Sequence, residues 1–387
     1  MKIVFAGNFM SHHQRPLSDA LYRLTNQQYA FISTEEMHTE RKKMGWSNAK
    51  PPVYELHYYD EKEKVECDRW LREADVIIYG AAPYELIEPC LKRKQLVFRY
   101  AERPYKQPLP WYKYPVHLVK FFWWFRRYKN FHLLCASAYA ARDFALTGSF
   151  WNKAYRWGYF PEIKLHVDIE KLLEKKKSAT ITWVARLIPL KHPEAVVEVA
   201  KRLKAKGYRF TLNMIGNGEL EGYLAKLIEQ EDVSDCVHAL GAMPPETVRK
   251  YMEESEIFLF TSDRNEGWGA VLNESMNSAC AVVANHNIGS VPFLLQDKEN
   301  GLIYKDADLD DLTGKVEWLL THPEERRRLG RNAYATLTEE WNAENAAEKL
   351  IVISKRILKG DKPASPFENG VCSPAPRLKD NWYPIDE

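Results

Sequence analysis

Short apolar runs alternate with amphipathic stretches along most of this chain of 387 residues. In the first part of the chain, a helical pattern covers Arg15–Leu24. Buried strands are predicted at Ile3–Ala6, Val76–Tyr79, Leu96–Tyr100 and Leu133–Ala136. Apolar strands that are separated by helices are typical of a mostly parallel sheet. We therefore expect a first α/β domain over residues 1–170.

A second α/β series follows a charged run, Lys171–Lys177, which we interpret as a domain boundary. Amphipathic helices are predicted at Glu194–Lys204 and Pro245–Glu253. Strands are predicted at Thr180–Val184, Phe210–Ile215, Val237–Leu240, Ile257–Phe260 and Ala281–Ala284. Glycines follow several of these strands, as in nucleotide-binding α/β domains. We expect this second domain to span residues 178–340.

The end of the chain changes in character after the second series. A helical pattern covers residues 341–358, beginning at Trp341. From Lys359 onward the sequence is rich in Gly, Pro, Ser and Asn. We predict that residues 359–387 form a poorly ordered tail.

Composition and charge exclude several classes of protein. The net charge of +2 gives no argument for a nucleic-acid partner. The six cysteines are scattered without a CxxC pair, so we expect no metal site and a reducing compartment. The sequence shows neither a signal peptide nor a run of apolar residues long enough to span a membrane. These features predict a cytoplasmic protein.

The most informative motif is the nonapeptide EGWGAVLNE, which follows the strand at Ile257–Phe260. Its first and last residues are Glu266 and Glu274, and a helix through both would place their carboxylates on roughly one face. Gly267 and Gly269 allow a ligand to approach the backbone closely. Taken alone, this spacing is more often that of an ordinary surface helix.

Three further motifs follow strands of the second series. Arg186 and Lys191 come after the first strand, where their cations could bind a diphosphate. Gly216-Asn217-Gly218 and Leu240-Gly241-Ala242-Met243 come after the next two strands. Each motif alone is weak, since basic loops and glycine turns are common. Their order along the chain makes the combination informative.

Because it carries these motifs in this order, the segment Ile181–Tyr304 resembles the donor-binding domain of retaining glycosyltransferases. The class it resembles is "glycosyl transferases group 1", also called family 4. The resemblance implies an α/β protein with the GT-B fold, in which two Rossmann-like domains face each other across a cleft. It also implies that residues 1–170 bind the acceptor, that residues 178–340 bind a nucleotide-sugar donor, and that the helix at 341–358 crosses back to the first domain.

The resemblance further implies roles for individual residues. Arg186 and Lys191 would neutralise the donor diphosphate, Glu266 would contact the transferred sugar, and Glu274 would bind the ribose hydroxyls. The remaining expected donor-binding positions are Gly7, Gly216, Gly218, Gly241, Met243, Gly267, Trp268 and Gly269. Such enzymes need no metal or other cofactor, because protein cations stabilise the leaving group. Asp308-Leu309-Asp310 has the form of a metal-binding motif, but we interpret it as a surface or capping segment.

The acceptor side is less well defined by the sequence. Relatives place a histidine after a later strand of the first domain, where this chain reads Ala101-Glu102-Arg103-Pro104. Either Glu102 or one of the pair His12 and His13 could take that role. The alternative for the two histidines is that they cap a loop.

A basic and aromatic segment runs from Arg103 to Arg142. It contains eight Lys or Arg, twelve aromatic residues and no acidic residue. Such a mixture suits an anionic membrane surface or a lipid-diphosphate acceptor, and equally a core helix with a basic flank. We expect peripheral association with the inner face of the cell membrane through this segment.

Together these observations predict a retaining, metal-independent glycosyltransferase. It would move a sugar, UDP- or GDP-linked, to a glycan or lipid-linked acceptor in cell-envelope or exopolysaccharide synthesis. The alternatives are a GT-B phosphorylase or sugar-nucleotide epimerase, and a non-catalytic module that binds nucleotide sugars. Product analysis would separate the first alternative, and the four charged residues of the donor motifs argue against the second.

Overall fold

The computed structural model describes residues 1–37, 51–107 and 109–383. Pro108 of the predicted basic segment and residues 384–387 of the predicted tail lie outside the described residues. The chain forms two compact units, which comprise Met1–Glu162 with Trp341–Lys379 and Ile163–Glu340 with Asp380–Glu387.

The first unit contains a parallel sheet of seven strands in the order β3-β2-β1-β4-β5-β6-β7. The strands are β1 Ile3–Gly7, β2 Tyr29–Ser33, β3 Glu55–His57, β4 Val76–Tyr79, β5 Leu96–Ala101, β6 Phe131–Cys135 and β7 Ala154–Arg156. Strands β1, β2, β4 and β6 are buried along their whole length, as expected where both faces of a sheet are covered. The helices before the second unit are α1 Arg15–Leu24, α2 Glu61–Glu73, α3 Tyr84–Lys92, α4 Tyr114–Phe121 and α5 Ala140–Ala145.

The second unit contains a parallel sheet of six strands in the order β10-β9-β8-β11-β12-β13. The strands are β8 Lys177–Val184, β9 Thr211–Ile215, β10 Val237–Ala239, β11 Ser255–Phe260, β12 Ala281–Asn285 and β13 Leu302–Tyr304. The helices are α6 Ile169–Glu174, α7 Pro193–Ala205, α8 Glu221–Gln230, α9 Pro245–Glu254, α10 Val271–Asn277, α11 Val291–Leu294, α12 Leu309–Thr321 and α13 Pro323–Ala335. Its core joins strand residues such as Ile181 and Ile257 to helix residues such as Val196 and Leu312.

The charged run that predicted a boundary is part of the second unit. The unit begins at Ile163, and Asp168 caps α6 by accepting hydrogen bonds from the backbone of Glu170 and Lys171. Strand β8 begins at Lys177, the last residue of the run. The run is therefore folded because its apolar residues, Leu172 and Leu173, are buried.

The C-terminal helix, α14 Ala343–Lys359, belongs to the first unit and packs against α1. Arg23 of α1 and Glu344 of α14 form an ion pair. Asn342 caps the helix by accepting a hydrogen bond from the backbone of Asn345, and Gly360 ends it with a φ of 80°.

The segment after α14 corrects the prediction of a poorly ordered tail. Cys372 and Ser373 are buried and exchange backbone hydrogen bonds of 2.8 Å with Arg156, on the edge strand β7. Further on, the Trp382 indole donates to the carbonyl of His286 at 3.2 Å, within the second unit. Free strand edges need hydrogen-bond partners, and a loop-like composition does not prevent a segment from supplying them.

Only part of the basic and aromatic segment Arg103–Arg142 is exposed, whereas the prediction treated the whole segment as one surface. Arg103 is buried and forms a 3.2 Å ion pair with Asp143, so it contributes nothing to a surface. From Phe131 the segment is the buried strand β6. Its exposed part runs from Trp111 through α4 to Arg127, and we call this part the aromatic helix. No helix among the described residues has both the length and the apolar character needed to cross a membrane.

Candidate active site

The strand order of the second sheet reverses between β8 and β11. In open parallel sheets, ligands bind outside the carboxyl ends of the strands at such a reversal. Arg186 and Lys191 lie in the loop after β8, and Glu266 lies in the loop after β11. The topology thus places these three predicted residues in the two loops where a ligand is expected.

Lys191 is held in position by its backbone. It ends a single helical turn, Pro189–Lys191, and its carbonyl accepts a 2.6 Å hydrogen bond from the Thr261 hydroxyl. The same hydroxyl accepts a 2.9 Å hydrogen bond from the buried indole of Trp183. Thr261 therefore ties the loop after β8 to the end of β11. Arg186, in the same loop, has an exposed side chain.

The two glycines of the Gly216-Asn217-Gly218 turn lie against this loop. A Cβ at Gly216, where φ is 141°, would stand 1.8 Å from the carbonyl oxygen of Ala185. A Cβ at Gly218 would stand 2.4 Å from the carbonyl oxygen of Leu187. Since real Cβ atoms do not approach so closely, only glycine fits at either position. The turn therefore sets the path of the loop that carries Arg186 and Lys191.

Lys191 and Glu266 form an ion pair, and their side chains are 12% and 14% exposed. An ion pair that is largely removed from water interacts more strongly than a pair at the surface. The arrangement presents one cation and one carboxylate side by side. This combination can bind a ligand that carries both a phosphate group and hydroxyl groups.

Glu274 lies on α10 and not on one helix face with Glu266. The helix begins at Val271, so Glu266 remains in the loop before it. The predicted common face was wrong because residues 266–270 are not helical, and Gly269 has the left-handed φ of 78°. Burial raises the pKa of the Glu274 carboxyl, while the charge of Arg249 acts in the opposite direction.

The Gly267-Trp268-Gly269 segment packs tightly onto β11. The Trp268 side chain is fully buried, and its indole donates a 2.9 Å hydrogen bond to the Asn273 side chain. A Cβ at Gly269 would stand 2.3 Å from the ring of Phe260. The side chain of Trp268 is thus a core group, and only the backbone here could contact a ligand.

Gly241 and Met243 follow β10. Gly241 has a φ of 71°, and its carbonyl accepts a 2.9 Å hydrogen bond from the backbone of Gly216. The turn after β9 and the turn after β10 are therefore joined directly. Met243 is half-buried and lies just before α9.

Three residues of this region were not predicted from the sequence: Thr261, Asp263 and His192. Asp263 accepts a 2.7 Å hydrogen bond from the backbone of Asn265 and lies 3.4 Å from the Nε2 atom of His192. Hydrogen bonding to Glu194, with a further contribution from Asp263, raises the pKa of His192. The available signal was that Thr261 and Asp263 directly follow a buried strand, where the polar groups of a site collect.

The predicted residues of the first unit lie near the carboxyl ends of its strands. Gly7 ends β1, and a Cβ there would stand 3.1 Å from the ring of Phe31. The rings of His12 and His13, in the turn before α1, are 3.8 Å apart. Burial, assisted by the neighbouring His12, lowers the pKa of His13 to about 3. His13 is therefore neutral near pH 7.

Glu102 directly follows β5. Its carboxylate accepts a 2.7 Å hydrogen bond from the Tyr159 hydroxyl, and the Lys106 ammonium lies 3.9 Å away. A carboxylate with these two partners is oriented rather than free to rotate.

The Asp308-Leu309-Asp310 motif is a helix cap, as predicted. The Asp308 side chain accepts hydrogen bonds from the backbone of Asp310 and Asp311 at the start of α12. Within residues 1–37, 51–107 and 109–383, no three His, Cys, Asp or Glu side chains are grouped so that they could hold a metal ion.

Comparison with known proteins gives a family match within the second unit. Residues 166–336 match the family described as glycosyl transferases group 1. We call this matched segment the group 1 domain. It contains the ion pair of Lys191 and Glu266, the glycine turns and Glu274, so the predicted resemblance is confirmed.

Curated relatives of this segment include two glycosyltransferases of bacteria. The chain is 28% identical over 207 residues to the amylovoran biosynthesis glycosyltransferase AmsK of Erwinia amylovora, covering 52% of this chain and 50% of that protein. It is 26% identical to the poly(ribitol-phosphate) alpha-N-acetylglucosaminyltransferase of Staphylococcus aureus, covering 49% of this chain and 37% of that protein. The alignments thus span about half or less of these relatives.

Solved structures show the fold of the whole chain. The structure of Anabaena HepE in complex with UDP has a TM-score of 0.66 and 14% identity, and the alignment covers 93% of this chain and 99% of that one. The structure of TarM has a TM-score of 0.65 and 12% identity, with coverages of 90% and 98%. The group 1 domain is therefore part of a protein with the GT-B fold, built from two Rossmann-like sheets.

Proposed function

We propose that this protein is a retaining, metal-independent glycosyltransferase that moves a sugar from a UDP- or GDP-linked donor to a glycan or lipid-linked acceptor. The observation that carries the proposal is the position of Lys191 and Glu266, which are paired where the strand order of the group 1 domain reverses. A cation there suits a diphosphate, and a carboxylate beside it suits the hydroxyls of the attached sugar.

The chemistry requires stabilisation of the leaving group. As the bond between the sugar C1 atom and the phosphate oxygen breaks, negative charge develops on the diphosphate. Lys191, which is fixed through its carbonyl by Thr261, and Arg186 of the same loop would stabilise that charge in the transition state. Groups that are already in place need no reorganisation during the reaction, which favours the transition state over the ground state.

The remaining residues would bind and orient the donor. Glu266 would accept hydrogen bonds from the sugar, which becomes oxocarbenium-like as the bond breaks. Glu274 would bind the ribose hydroxyls, and the backbone at Gly241 and Met243 would lie beside the base. The departing phosphate oxygen can take the proton of the acceptor hydroxyl on the same face of the sugar, so retention needs no separate base.

Relatives support a role in cell-envelope or exopolysaccharide synthesis. AmsK is named for amylovoran biosynthesis, the Staphylococcus aureus relative is named for transfer to poly(ribitol-phosphate), and HepE binds UDP. These names describe those proteins, and they favour a nucleotide-sugar donor and a glycan acceptor for this one.

A thermal-shift panel tests the donor site. UDP, GDP, ADP, CDP and dTDP are each added without metal and then with Mg²⁺. A ligand that binds the folded protein, at a hundredfold excess over its Kd, adds about 2.7 kcal/mol of stability. We expect one nucleotide to stabilise the protein without metal, and Lys191→Met and Glu274→Ala to abolish the effect. Lys226→Met, on the surface of α8, is the control. Stabilisation that depends on Mg²⁺, or none with any nucleotide, would contradict the proposed donor site.

The aromatic helix supports peripheral association with an anionic membrane. Tyr112, Val116, Val119 and Trp123 are 60%, 68%, 61% and 55% exposed, and their spacing of four, three and four residues places them along one helix face. Lys113 and Lys120 each follow a member of this row by one residue, which places these two cations about 100° around the helix from the row. An apolar face flanked by cations is typical of helices that lie in the membrane interface.

Co-sedimentation with vesicles tests the membrane association. We expect the protein to sediment with vesicles that contain phosphatidylglycerol and to remain in solution with phosphatidylcholine alone. Replacing Trp123 and Trp124 by alanine should weaken sedimentation, whereas Tyr223→Ala, an exposed aromatic residue of the second unit, should not. Equal sedimentation of both variants would show that the aromatic helix is not the contact surface.

A further inference from the structure

A cavity beside the aromatic helix is not explained by glycosyl transfer. It has a volume of about 500 Å³, within the range of roughly 300–1,000 Å³ that is usual for small-molecule sites. Its walls are mostly apolar and include Leu118, Phe125, Phe131, Leu146 and Phe150. The helix thus has two apolar surfaces, the exposed row described above and the wall of this cavity.

The cavity lies at the edge of the sheet that is opposite to the expected acceptor site. Phe131 is the first residue of β6, and Lys153 directly precedes β7, so both mark the amino ends of parallel strands. Glu102, a predicted acceptor-side residue, directly follows the carboxyl end of β5, and Gly7, a predicted donor-binding position, ends β1. A molecule bound in this cavity would therefore not be the group that accepts the sugar.

Two cationic side chains lie among the apolar residues that line the cavity. Arg126 and Lys153 both line the cavity, and the ammonium of Lys153 donates a 2.7 Å hydrogen bond to the carbonyl of Lys129. In the part of the chain that the structure describes, neither Arg126 nor Lys153 forms an ion pair with a carboxylate. The guanidinium of Arg377 lies 3.5 Å from the ring centre of Trp151, another lining residue.

The electrostatic environment agrees with this excess of positive charge. Burial lowers the pKa of Lys153, and the charge of Lys129 lowers it further. Burial, assisted by the charge of Lys153, also lowers the pKa of His132 to about 3. An anion bound here would offset repulsion between cations that the protein leaves uncompensated.

We propose that this cavity binds an acyl chain of an anionic membrane phospholipid, whose phosphate is held by Arg126 and Lys153. The proposal rests on the membrane association described above and adds a defined lipid site to it. An apolar cavity with cations suits the acyl chain and phosphate of one amphiphile. Tyr112, Val116 and Trp123 of the exposed row would lie in the interface while one lipid enters the cavity.

The test uses a lipid that dissolves as a monomer, so that it does not depend on a bilayer. Dioctanoyl-phosphatidylglycerol is titrated into the full-length protein below its aggregation concentration, and binding is measured by calorimetry. We expect saturable binding of one molecule, which weakens about tenfold for every two methylene groups removed from the acyl chains. Dioctanoyl-phosphatidylcholine, which has no net charge, should bind more weakly.

Variants locate the site. Ala145→Trp and Leu146→Trp add volume inside the cavity and should abolish the binding, and Arg126→Gln should reduce the preference for phosphatidylglycerol. Val65→Trp adds the same side chain at an exposed position of α2, outside both the cavity and the aromatic helix, and should leave monomer binding unchanged. Two different cavity variants are used because either one alone could disturb folding, which the unfolding temperature would reveal.

The outcomes separate this proposal from the proposed function. Vesicle binding without monomer binding, or monomer binding that survives both cavity variants, would overturn the lipid site and leave the exposed row as a membrane contact. Monomer binding without vesicle binding would support the cavity and contradict the membrane association. Nucleotide binding by the wild-type protein is measured in parallel. Its absence would contradict the proposed function but not the lipid site.

Discussion

The ion pair between Lys191 and Glu266 allows the site to be tested by stability as well as by activity. Each side chain is about seven-eighths buried, so removal of one partner leaves the other charge largely out of water. Breaking a fully buried pair costs about 3–5 kcal/mol, whereas exposed pairs contribute about 0–1 kcal/mol. For this intermediate burial we expect Lys191→Met and Glu266→Gln each to cost about 2 kcal/mol.

The assay is thermal unfolding of the two single variants and of the double variant. In a unit of this size, 2 kcal/mol corresponds to a decrease in Tm of roughly 4–8 °C. The double variant leaves no unpaired charge, so its loss should be smaller than the sum of the single losses by about 1–2 kcal/mol. A coupling below about 0.5 kcal/mol would refute the view that the two groups form a desolvated pair.

The same variants make a prediction about ligand binding. In the wild-type protein a diphosphate has to share Lys191 with the carboxylate of Glu266, so Glu266→Gln should tighten the binding of UDP while it lowers sugar transfer. Lys191→Met should weaken both. If Glu266→Gln weakened UDP binding as strongly as Lys191→Met, the two groups would not compete for one ligand, and the assignment of their roles would be wrong.

The remaining predictions concern the structure around this pair. Gly216→Ala should lower the free energy of unfolding by about 2 kcal/mol or more, because its Cβ meets the carbonyl oxygen of Ala185. Gly222→Ala, in the open first turn of α8, should change it by about 0.5 kcal/mol or less, and chemical denaturation measures both. Burial raises the pKa of Glu274, so ionisation of this carboxyl destabilises the fold as pH rises; Glu274→Gln should therefore raise Tm at about pH 8, and the gain should vanish near pH 4, where both states are protonated. The raised pKa of His192 gives a stabilisation that is complete at low pH and is lost as pH rises through the folded-state pKa. His192→Ala should therefore lower Tm more at about pH 5.5 than at about pH 9. An equal loss at both would contradict the pairing of His192 with Glu194 and Asp263.

The sequence predicted the strands at the centres of the two sheets because these strands are continuously apolar. Strands β1, β4 and β11 contain the apolar runs Ile3–Ala6, Val76–Tyr79 and Ile257–Phe260. The edge strands Glu55–His57 and Ala154–Arg156 are three residues long and only partly buried, so no periodicity marks them. Their pairing depends on neighbours that are distant in sequence, which a local pattern does not contain.

The site shows the same division between local and distant information. Glycines after strands and charged residues in loops were visible in the sequence, so Gly216, Lys191 and Glu266 could be predicted as candidates. Their partners could not, because Lys191 and Glu266 are 75 positions apart and the contact of Gly216 is with the loop after a different strand. The role of Thr261 depends on hydrogen bonds to two separate segments and was therefore missed.

The packed C-terminal segment has a consequence for anyone who wishes to produce the group 1 domain by itself. Cutting the gene at Ile163 and Glu340 would delete Trp382 and Tyr383, whose side chains donate to the carbonyls of His286 and Ile303. In the excised domain, the surface beside β13 that these aromatic side chains cover would be exposed. The domain would then tend to self-associate at high concentration. A version of the domain that also carries residues 380–383, joined through a flexible linker, would keep both aromatic side chains available for these contacts.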